Sequence, residues 1–491
     1  MKLRDLKTEP AWREEDLGMQ LPKTQHACSV CLPTWDSVLG YEEKREKIIR
    51  KLRSGYPRFT LNPVTTRLFH EATVALADKD MQAIVFPNRD AAQRAQRFVE
   101  KRSGSASRVA SYEGMQALIV TSADYSIAME YWRYTGEIVS SRQAEKVLQG
   151  RDTSEFRPKS LRKRLAKQGG YKDSNIYLYE NGMAGLFSVY RAMNKLLPGR
   201  KTLQLEFPYV DAMRVQKHFG NGVVFLNEAE GESFEQALQR ISKGEFSAVF
   251  CEAPSNPLLR TVDLDSIASA CRDGGVPLIV DDTTCAVANI EVAKYADVVL
   301  SSLTKWVSGK GDVMAGQVTL CEDSAFYSDL IEFFEDDCPG GSRLFASDAR
   351  VLSRNISDFG RRMALSNENG EALADLLIDH PAVESVYYPK YTTPLLYDKL
   401  KRDGGGYGGL ISLVLKSRKK SPKFFDNLKI SKGPSLGTDF SLACPYTLLA
   451  HYDELEWAEG CGIDKNLIRI SVGQEKKEDL LNVVTEALEE A

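Results

Sequence analysis

Between residues 201 and 303 the chain reads KTLQLEF (201–207), VDAMRVQKHFG (210–220), VVFLNE (223–228), ESFEQALQRISKG (232–244), SAVFCEA (247–253), DLDSIASACRDGG (263–275), VPLIVDD (276–282) and ADVVLSSL (296–303). Short continuous apolar runs alternate with windows whose apolar residues recur at helical spacing. Strands that are apolar on both faces and joined by helices predict a parallel sheet covered on both sides, and hence an α/β fold. Ligands of such sheets collect at the carboxyl ends of the strands, so chemistry is expected in the residues that follow each run.

Upstream, MQAIVFP (81–87), RDAAQRAQRFVEKR (89–102) and QALIVTS (116–122) read strand, helix, strand. Residues 1–60 carry Pro10, Pro22, Pro33 and Pro57 with weak periodicity. They predict an extended arm with one helix over EEKREKIIRKL (42–52). Downstream, residues 349–380 read as a long helical stretch. The strands VESVYYP (383–389), GLISLVLKS (409–417) and NLIRISVG (466–473) follow, and a helix over 476–491 closes a smaller C-terminal α+β domain. The expected organisation is an arm and extension over 1–130, a large domain over 131–350 and the small domain over 351–491.

The 491 residues carry 64 Lys+Arg against 68 Asp+Glu, a net charge of −4. No basic field exists to hold nucleic acid or an anionic membrane. With 43% hydrophobic and 27% charged residues, apolar side chain suffices for a large core. No run of eighteen apolar residues occurs, and MKLRDLKTEPAWREEDLG (1–18) lacks the apolar stretch of a secretory signal. Nine cysteines, several inside apolar runs, predict reduced thiols and a cytoplasmic location. Cys28-x-x-Cys31 is the one close pair. A zinc site would need a second pair and finds only His26 nearby, so incidental thiols are expected there and no metal site.

Two strand ends carry candidate chemistry. Asp281 and Asp282 end VPLIVDD, where adjacent carboxylates either cap and solvate a loop or face a ligand. After ADVVL comes Ser301-Ser302-Leu303-Thr304-Lys305-Trp306, leading into Gly309, Gly311 and Asp312. Hydroxyls before a lysine and glycines after it make an anion pocket beside an amine, and a desolvated lysine there becomes a nucleophile toward a carbonyl. Ser302-x-Thr304-Lys305-Trp306 with Gly309-x-x-Asp312-Val313 resembles the pyridoxal-phosphate lysine signature of the cystathionine γ-synthase family, the fold-type I enzymes of cysteine and methionine metabolism. Its companions recur in order: Asn181-Gly182-Met183-Ala184, Glu252-Ala253-Pro254-Ser255-Asn256-Pro257, Val280-Asp281-Asp282-Thr283, Ser435-Leu436-Gly437 and Arg469-Ile470-Ser471-Val472-Gly473. The resemblance runs from about residue 130 to the end, and the arm resembles the extension of the fungal members.

The resemblance implies pyridoxal 5′-phosphate as cofactor and a role for each matching residue. Lys305 would form the Schiff base and then act as the catalytic base. Asp281 would pair with the pyridinium nitrogen, with Asp282 as a structural neighbour. Tyr209, after the apolar run LQLEF, would stack on the ring and relay a proton. The phosphate would sit on the backbone N–H groups of Gly182 and Met183, helped by the hydroxyls of Ser302 and Thr304. Tyr131-Trp132-Arg133 resembles the family's Tyr-x-Arg, whose side chains reach the phosphate of the adjacent subunit, but Thr135-Gly136-Glu137 stands where the family continues with Asn-Pro-Thr. On that reading Tyr131 and Arg133 imply a homodimer or homotetramer with active sites at the subunit interface. Arg469 would bind an amino-acid substrate's α-carboxylate unless it sits in an internal ion pair, with Ser435 and Asn256 assisting. His451 is expected to be structural.

The implied activity is γ-replacement on an O-acylhomoserine with cysteine as nucleophile, the cystathionine-forming step of transsulfuration. Two departures bear on the nucleophile: Pro434 stands where the family often has Glu, and Gly309-Lys310-Gly311-Asp312 replaces its Gly-His-x-Asp. Replacement by a carbon or other nucleophile in secondary metabolism, a γ-lyase, and a catalytically silent scaffold remain as alternatives.

Overall fold

Three sheets organise the described residues. The computed structural model describes residues 4–151 and 159–491. The amino-terminal sheet is antiparallel, in the order β1 (Met81–Phe86), β3 (Met115–Thr121), β2 (Arg108–Tyr112). The run 81–122 thus gains β2, whose mixed exposure hides the strand pattern. The helix Pro63–Leu76 enters this module with Pro63 at its first position and the Asn62 side chain accepting from the Val64 N–H at 2.9 Å. The helix expected over 42–52 is instead two pieces, Trp35–Glu42 and Glu46–Ile49, because Lys44 takes a positive φ of 56° between them.

The large sheet has seven strands: β4 (Ile176–Tyr179), β5 (Thr202–Leu205), β6 (Val223–Leu226), β7 (Val249–Glu252), β8 (Leu278–Asp281), β9 (Val298–Ser302) and β10 (Gly316–Leu320). Their order is β4-β10-β9-β8-β7-β5-β6. The strands from β6 to β9 pair in parallel, and β10 runs antiparallel to both β9 and β4. β5 and β7 are buried along their length, which is why they read as unbroken apolar runs. The small sheet, β11 (Val383–Tyr387), β12 (Leu410–Leu415), β13 (Ser431–Lys432), β14 (Leu442–Pro445) and β15 (Ile468–Ser471), is ordered β11-β12-β15-β14-β13 and is antiparallel except for its last pair. This is the fold-type I arrangement.

The amino-terminal module is continuous with the large sheet's core. Leu68, Ile84, Val99 and Leu118 share one apolar cluster with Tyr179, Phe187, Val189 and Val318. The helix Tyr125–Thr135 lies in that seam, and the Tyr131 ring meets Phe86, Phe187 and Phe219 edge-to-face and Phe98 at a tilt. Among the described residues no helix is long and apolar enough to cross a membrane.

Candidate active site

The carboxyl ends of β5, β7, β8 and β9 open into a cavity of about 370 Å³ that also takes in Arg469 of β15 and residues 41–60 of the arm. Lys305 sits in the turn after β9, where its N–H donates to the Ser302 carbonyl at 3.2 Å and its own carbonyl accepts from Gly309 at 2.8 Å. Its Nζ lies 3.0 Å from Ser435 Oγ and 3.4 Å from the Tyr56 hydroxyl. Burial pulls the Lys305 pKa below its usual value, with Tyr56 opposing, so a neutral amine is more accessible than at a surface lysine. Gly437 packs behind this turn with φ 76°, where a Cβ would come 2.6 Å from the Trp306 nitrogen.

Asp281 and Glu252 stand side by side, in register across β7 and β8. Glu252 accepts from the Tyr209 N–H at 2.6 Å and the Asn256 N–H at 3.0 Å, so it positions two residues that line the same cavity. Asp281 accepts from the Thr283 N–H at 2.9 Å and has no cationic partner among the described residues. Burial pushes Glu252 up to about 8, with Asp281 adding to the rise, and burial also raises Asp281. A buried carboxylate aimed at an open cavity without a cation is costly. A protonated pyridine nitrogen would supply the missing cation.

The raised Glu252 pKa has a consequence for stability. Below the ordinary carboxylate pKa both folded and unfolded chains hold the proton. Between about 4.5 and about 8 only the folded chain does, so stability falls as pH rises through that window. For the cofactor-free protein, Glu252→Gln is expected to flatten the decline of Tm over that range; an unchanged slope would show that Glu252 is ionised throughout.

The helix Gly182–Leu196 begins at this cavity. Asn181 caps it, accepting from the Ala184 N–H at 3.1 Å, so Gly182 and Met183 are left at the first two positions, ahead of any intrahelical acceptor. Both line the cavity together with Ser302. A Cβ on Gly182 would come 2.9 Å from the Ser302 Cβ, so the cradle closes around the absence of a side chain. Gly182→Ala is expected to weaken pyridoxal-phosphate binding at least about tenfold, measured by titrating the cofactor-free protein; unchanged affinity would place the phosphate elsewhere.

Three expectations shift. Thr304 is buried, exchanging hydrogen bonds with the Ala315 backbone at 3.1 and 3.3 Å, and its hydroxyl does not line the cavity. Tyr131 is 1% exposed in the aromatic seam and donates to Glu137 at 2.5 Å, so it reaches neither this cavity nor another chain. Arg133 does line the cavity, 4.4 Å over the Phe59 ring and 3.9 Å from Asp211. The Tyr-x-Arg at the cavity is Tyr56-Pro57-Arg58. It is followed by Asn62-Pro63, the Asn-Pro missing after Arg133, and that pair was the signal available in the sequence. Arg58 is buried and donates to Asp211 at 2.7 Å, to the Arg133 carbonyl at 2.8 Å and to the Tyr209 hydroxyl. Burial and the nearby carboxylate hold the Tyr209 pKa well above its usual value, with Arg58 opposing.

Arg469 is 7% exposed and donates to Asn256 Oδ1 at 3.0 Å and the Ser435 carbonyl at 2.9 Å, with its guanidinium 4.9 Å over the Tyr446 ring. No carboxylate pairs with it among the described residues, so the internal ion pair is not present. Ser435 takes φ 97°, a strained value for a residue with a side chain, and presents its hydroxyl to Lys305 while its carbonyl faces Arg469. His451 also lines the cavity, with Nδ1 2.9 Å from Glu454 and Nε2 without a partner. Cys28 and Cys31 are buried free thiols, near the His26 and Ala11 carbonyls, and no group of three metal-ligating side chains assembles among the described residues.

A lysine at a strand end whose pKa burial lowers, a carboxylate without a cationic partner and a glycine-floored helix terminus fit the amine, ring nitrogen and phosphate of pyridoxal phosphate, and on this fold they define a fold-type I pyridoxal-phosphate enzyme. The Cys/Met metabolism PLP-dependent enzyme family matches residues 115–489, and the fungal trans-sulfuration enzyme N-terminal domain matches residues 65–140; the chain belongs to this family. It is 31% identical to a cystathionine gamma-synthase of Neurospora crassa, over 97% of this chain and 98% of that protein. To a cystathionine gamma-synthase of Saccharomyces cerevisiae it is 29% identical, over 96% and 98%. A crystal structure of cystathionine gamma synthase from Xanthomonas oryzae pv. oryzae in complex with aminoacrylate and cysteine superposes with a TM-score of 0.58 at 26% identity, covering 68% of this chain and 86% of that one.

Proposed function

We propose that the chain catalyses γ-replacement on an O-acylhomoserine with cysteine as nucleophile, releasing the carboxylate and forming cystathionine. Bound pyridoxal phosphate would supply an electron sink that lets a proton leave the substrate's α carbon. Gly182, Met183 and Ser302 would hold its phosphate and Asp281 its ring nitrogen, with Tyr209 against the ring. Arg133 lies on the same wall.

Arg469 binds the substrate's α-carboxylate, and Asn256 and the Ser435 carbonyl keep its fork in place before substrate arrives. Lys305 Nζ, oriented by the Ser435 hydroxyl 3.0 Å away, takes the α proton and then the β proton. The γ C–O bond breaks and the ester leaves as a carboxylate. The thiol loses its proton to solvent as its sulfur forms the new bond at Cγ, and Lys305 returns the two protons. Tyr209, its hydroxyl fixed by Arg58, is placed to relay a proton. The observation that carries this reading is a buried arginine with no carboxylate partner among the described residues, joined through Ser435 to the amine of Lys305.

Turnover in D₂O tests the reaction class. Cystathionine carrying deuterium at both Cα and Cβ is expected, and product without deuterium at Cβ would exclude γ-chemistry. Pro434 favours a second reading, a carbon nucleophile, because it removes an acid from the family's γ-substituent region and its carbonyl is held by the Ser29 hydroxyl. The nine free buried thiols suit a reducing compartment such as the cytoplasm. Assembly as a homodimer or homotetramer accompanies this reading, to be measured by sedimentation.

A further inference from the structure

We propose that His451 is the base for the incoming nucleophile: its Nε2 takes the proton from the thiol as the sulfur bonds to Cγ, and then releases that proton to solvent. This rests on the γ-replacement reading and reverses the expectation that His451 is structural.

His451 ends the helix Tyr446–His451, which follows β14, and lines the cavity that also holds Lys305 and Arg469. Its imidazole is 1% exposed and lies among aromatic rings, with centroids 5.0 Å from Phe207, 5.8 Å from Trp457 and 5.9 Å from Tyr446. Phe207 leads through Pro208 into Tyr209, and the Arg469 guanidinium lies 4.9 Å over the Tyr446 ring. The imidazole is thus wedged between the segment that leads to Tyr209 and the aromatic ring beneath the carboxylate-binding arginine.

A buried imidazole among such walls is costly unless both ring nitrogens find partners. Only one does. Nδ1 lies 2.9 Å from Glu454 Oε1, and this bond is the leading cause that holds the Glu454 pKa below its usual value, so the carboxylate accepts and Nδ1 carries the hydrogen. That tautomer leaves a lone pair on Nε2, which is buried and has no hydrogen-bond partner among the described residues. A carboxylate behind an imidazole fixes its orientation and stabilises the imidazolium once a proton arrives. Arg214 stands 3.8 Å from the same Glu454 oxygen. The remaining titratable groups nearby are Tyr446 on the same helix, Asp453 on the next turn, Lys217 over the Trp457 ring at 5.3 Å, and Tyr41 and Glu42 of the helix Trp35–Glu42 that packs on this one. None of them bonds Nε2.

The reaction has work for this lone pair. On the proposed reading Lys305 holds protons taken from the substrate when the nucleophile arrives, so it cannot also take the thiol's. A second base in the same cavity meets that need.

The test separates the thiol step from the earlier ones. His451→Gln keeps a polar side chain but removes the basic nitrogen. With saturating O-acetylhomoserine, ethanethiol is compared with 2,2,2-trifluoroethanethiol, which has the same skeleton but a lower pKa, at a pH where only the fluorinated thiol is largely ionised. The variant should lose about a hundredfold in kcat/KM for cysteine and ethanethiol, and less than about fivefold for the fluorinated thiol, which needs no base. Deuterium exchange into Cα and Cβ of the ester without any thiol should stay within about twofold, because it needs Lys305 alone. Equal losses with both thiols would make His451 a wall of the cavity, and undiminished use of ethanethiol would remove it from the reaction; either overturns the proposal. Should His451→Gln fail to fold, Glu454→Gln takes its place, with a smaller loss of the same thiol-dependent pattern expected and a pattern indifferent to thiol pKa contradicting the inference. Absence of Cβ exchange in the unaltered chain would instead count against the γ-replacement reading itself.

Discussion

Lys305→Ala is expected to lower turnover by at least about a thousandfold, because on the proposed reading one side chain both tethers the cofactor and moves the protons. The loss should appear in kcat, while the variant still takes up pyridoxal phosphate non-covalently: Gly182, Met183, Ser302 and Asp281 are untouched, and Nζ bonds only Ser435 and Tyr56 among the described residues. Borohydride should then leave no label on the chain. Full activity in this variant would remove Lys305 from the mechanism. Near-normal folding is expected, since a lysine whose pKa is lowered by burial gives up little when replaced by a small apolar side chain.

Arg469→Ala is the second large effect. Its guanidinium is buried and preorganised by Asn256 and Ser435, so loss of the carboxylate contact should cost about 2–5 kcal/mol, appearing mainly as a raised KM for the amino-acid substrate. Arg469→Lys should recover only part of this, because an ammonium cannot make the paired contact that a planar fork makes. An unchanged KM in Arg469→Ala would mean that the carboxylate is held by another cation of the cavity, with Arg133 the first to test.

The parts of the fold that could be read from the sequence were those whose physics is local. β5, β7, β8 and β9 announce themselves as apolar runs because both faces are buried. β10 (GQVTL) carries no such sign, and its antiparallel insertion between β4 and β9 is a matter of topology. Lys305, Asp281, Gly182 and Arg469 were legible because each lies inside a specific motif, the first three at or just after a strand end or at a helix start and Arg469 within β15, and the cavity brings them together. Ser302 and Thr304 differ by two residues, yet one ends a strand at the cavity and the other turns into the Ala315 backbone. Tyr131-x-Arg133 and Tyr56-x-Arg58 are the same pattern. The first lies inside an amphipathic helix whose Ala128, Tyr131 and Thr135 face inward, and only the second is followed by Asn-Pro. The coupling of Glu252 with Asp281 depends on β7–β8 register, which composition does not encode.

The central claim is tested most directly by mass spectrometry of the products formed when the cofactor-loaded protein meets O-acetylhomoserine with cysteine and a β-keto acid in competition. Cystathionine as the main product is the predicted result. A carbon-linked adduct in its place, or 2-oxobutyrate alone, would contradict the assignment of cysteine as the nucleophile.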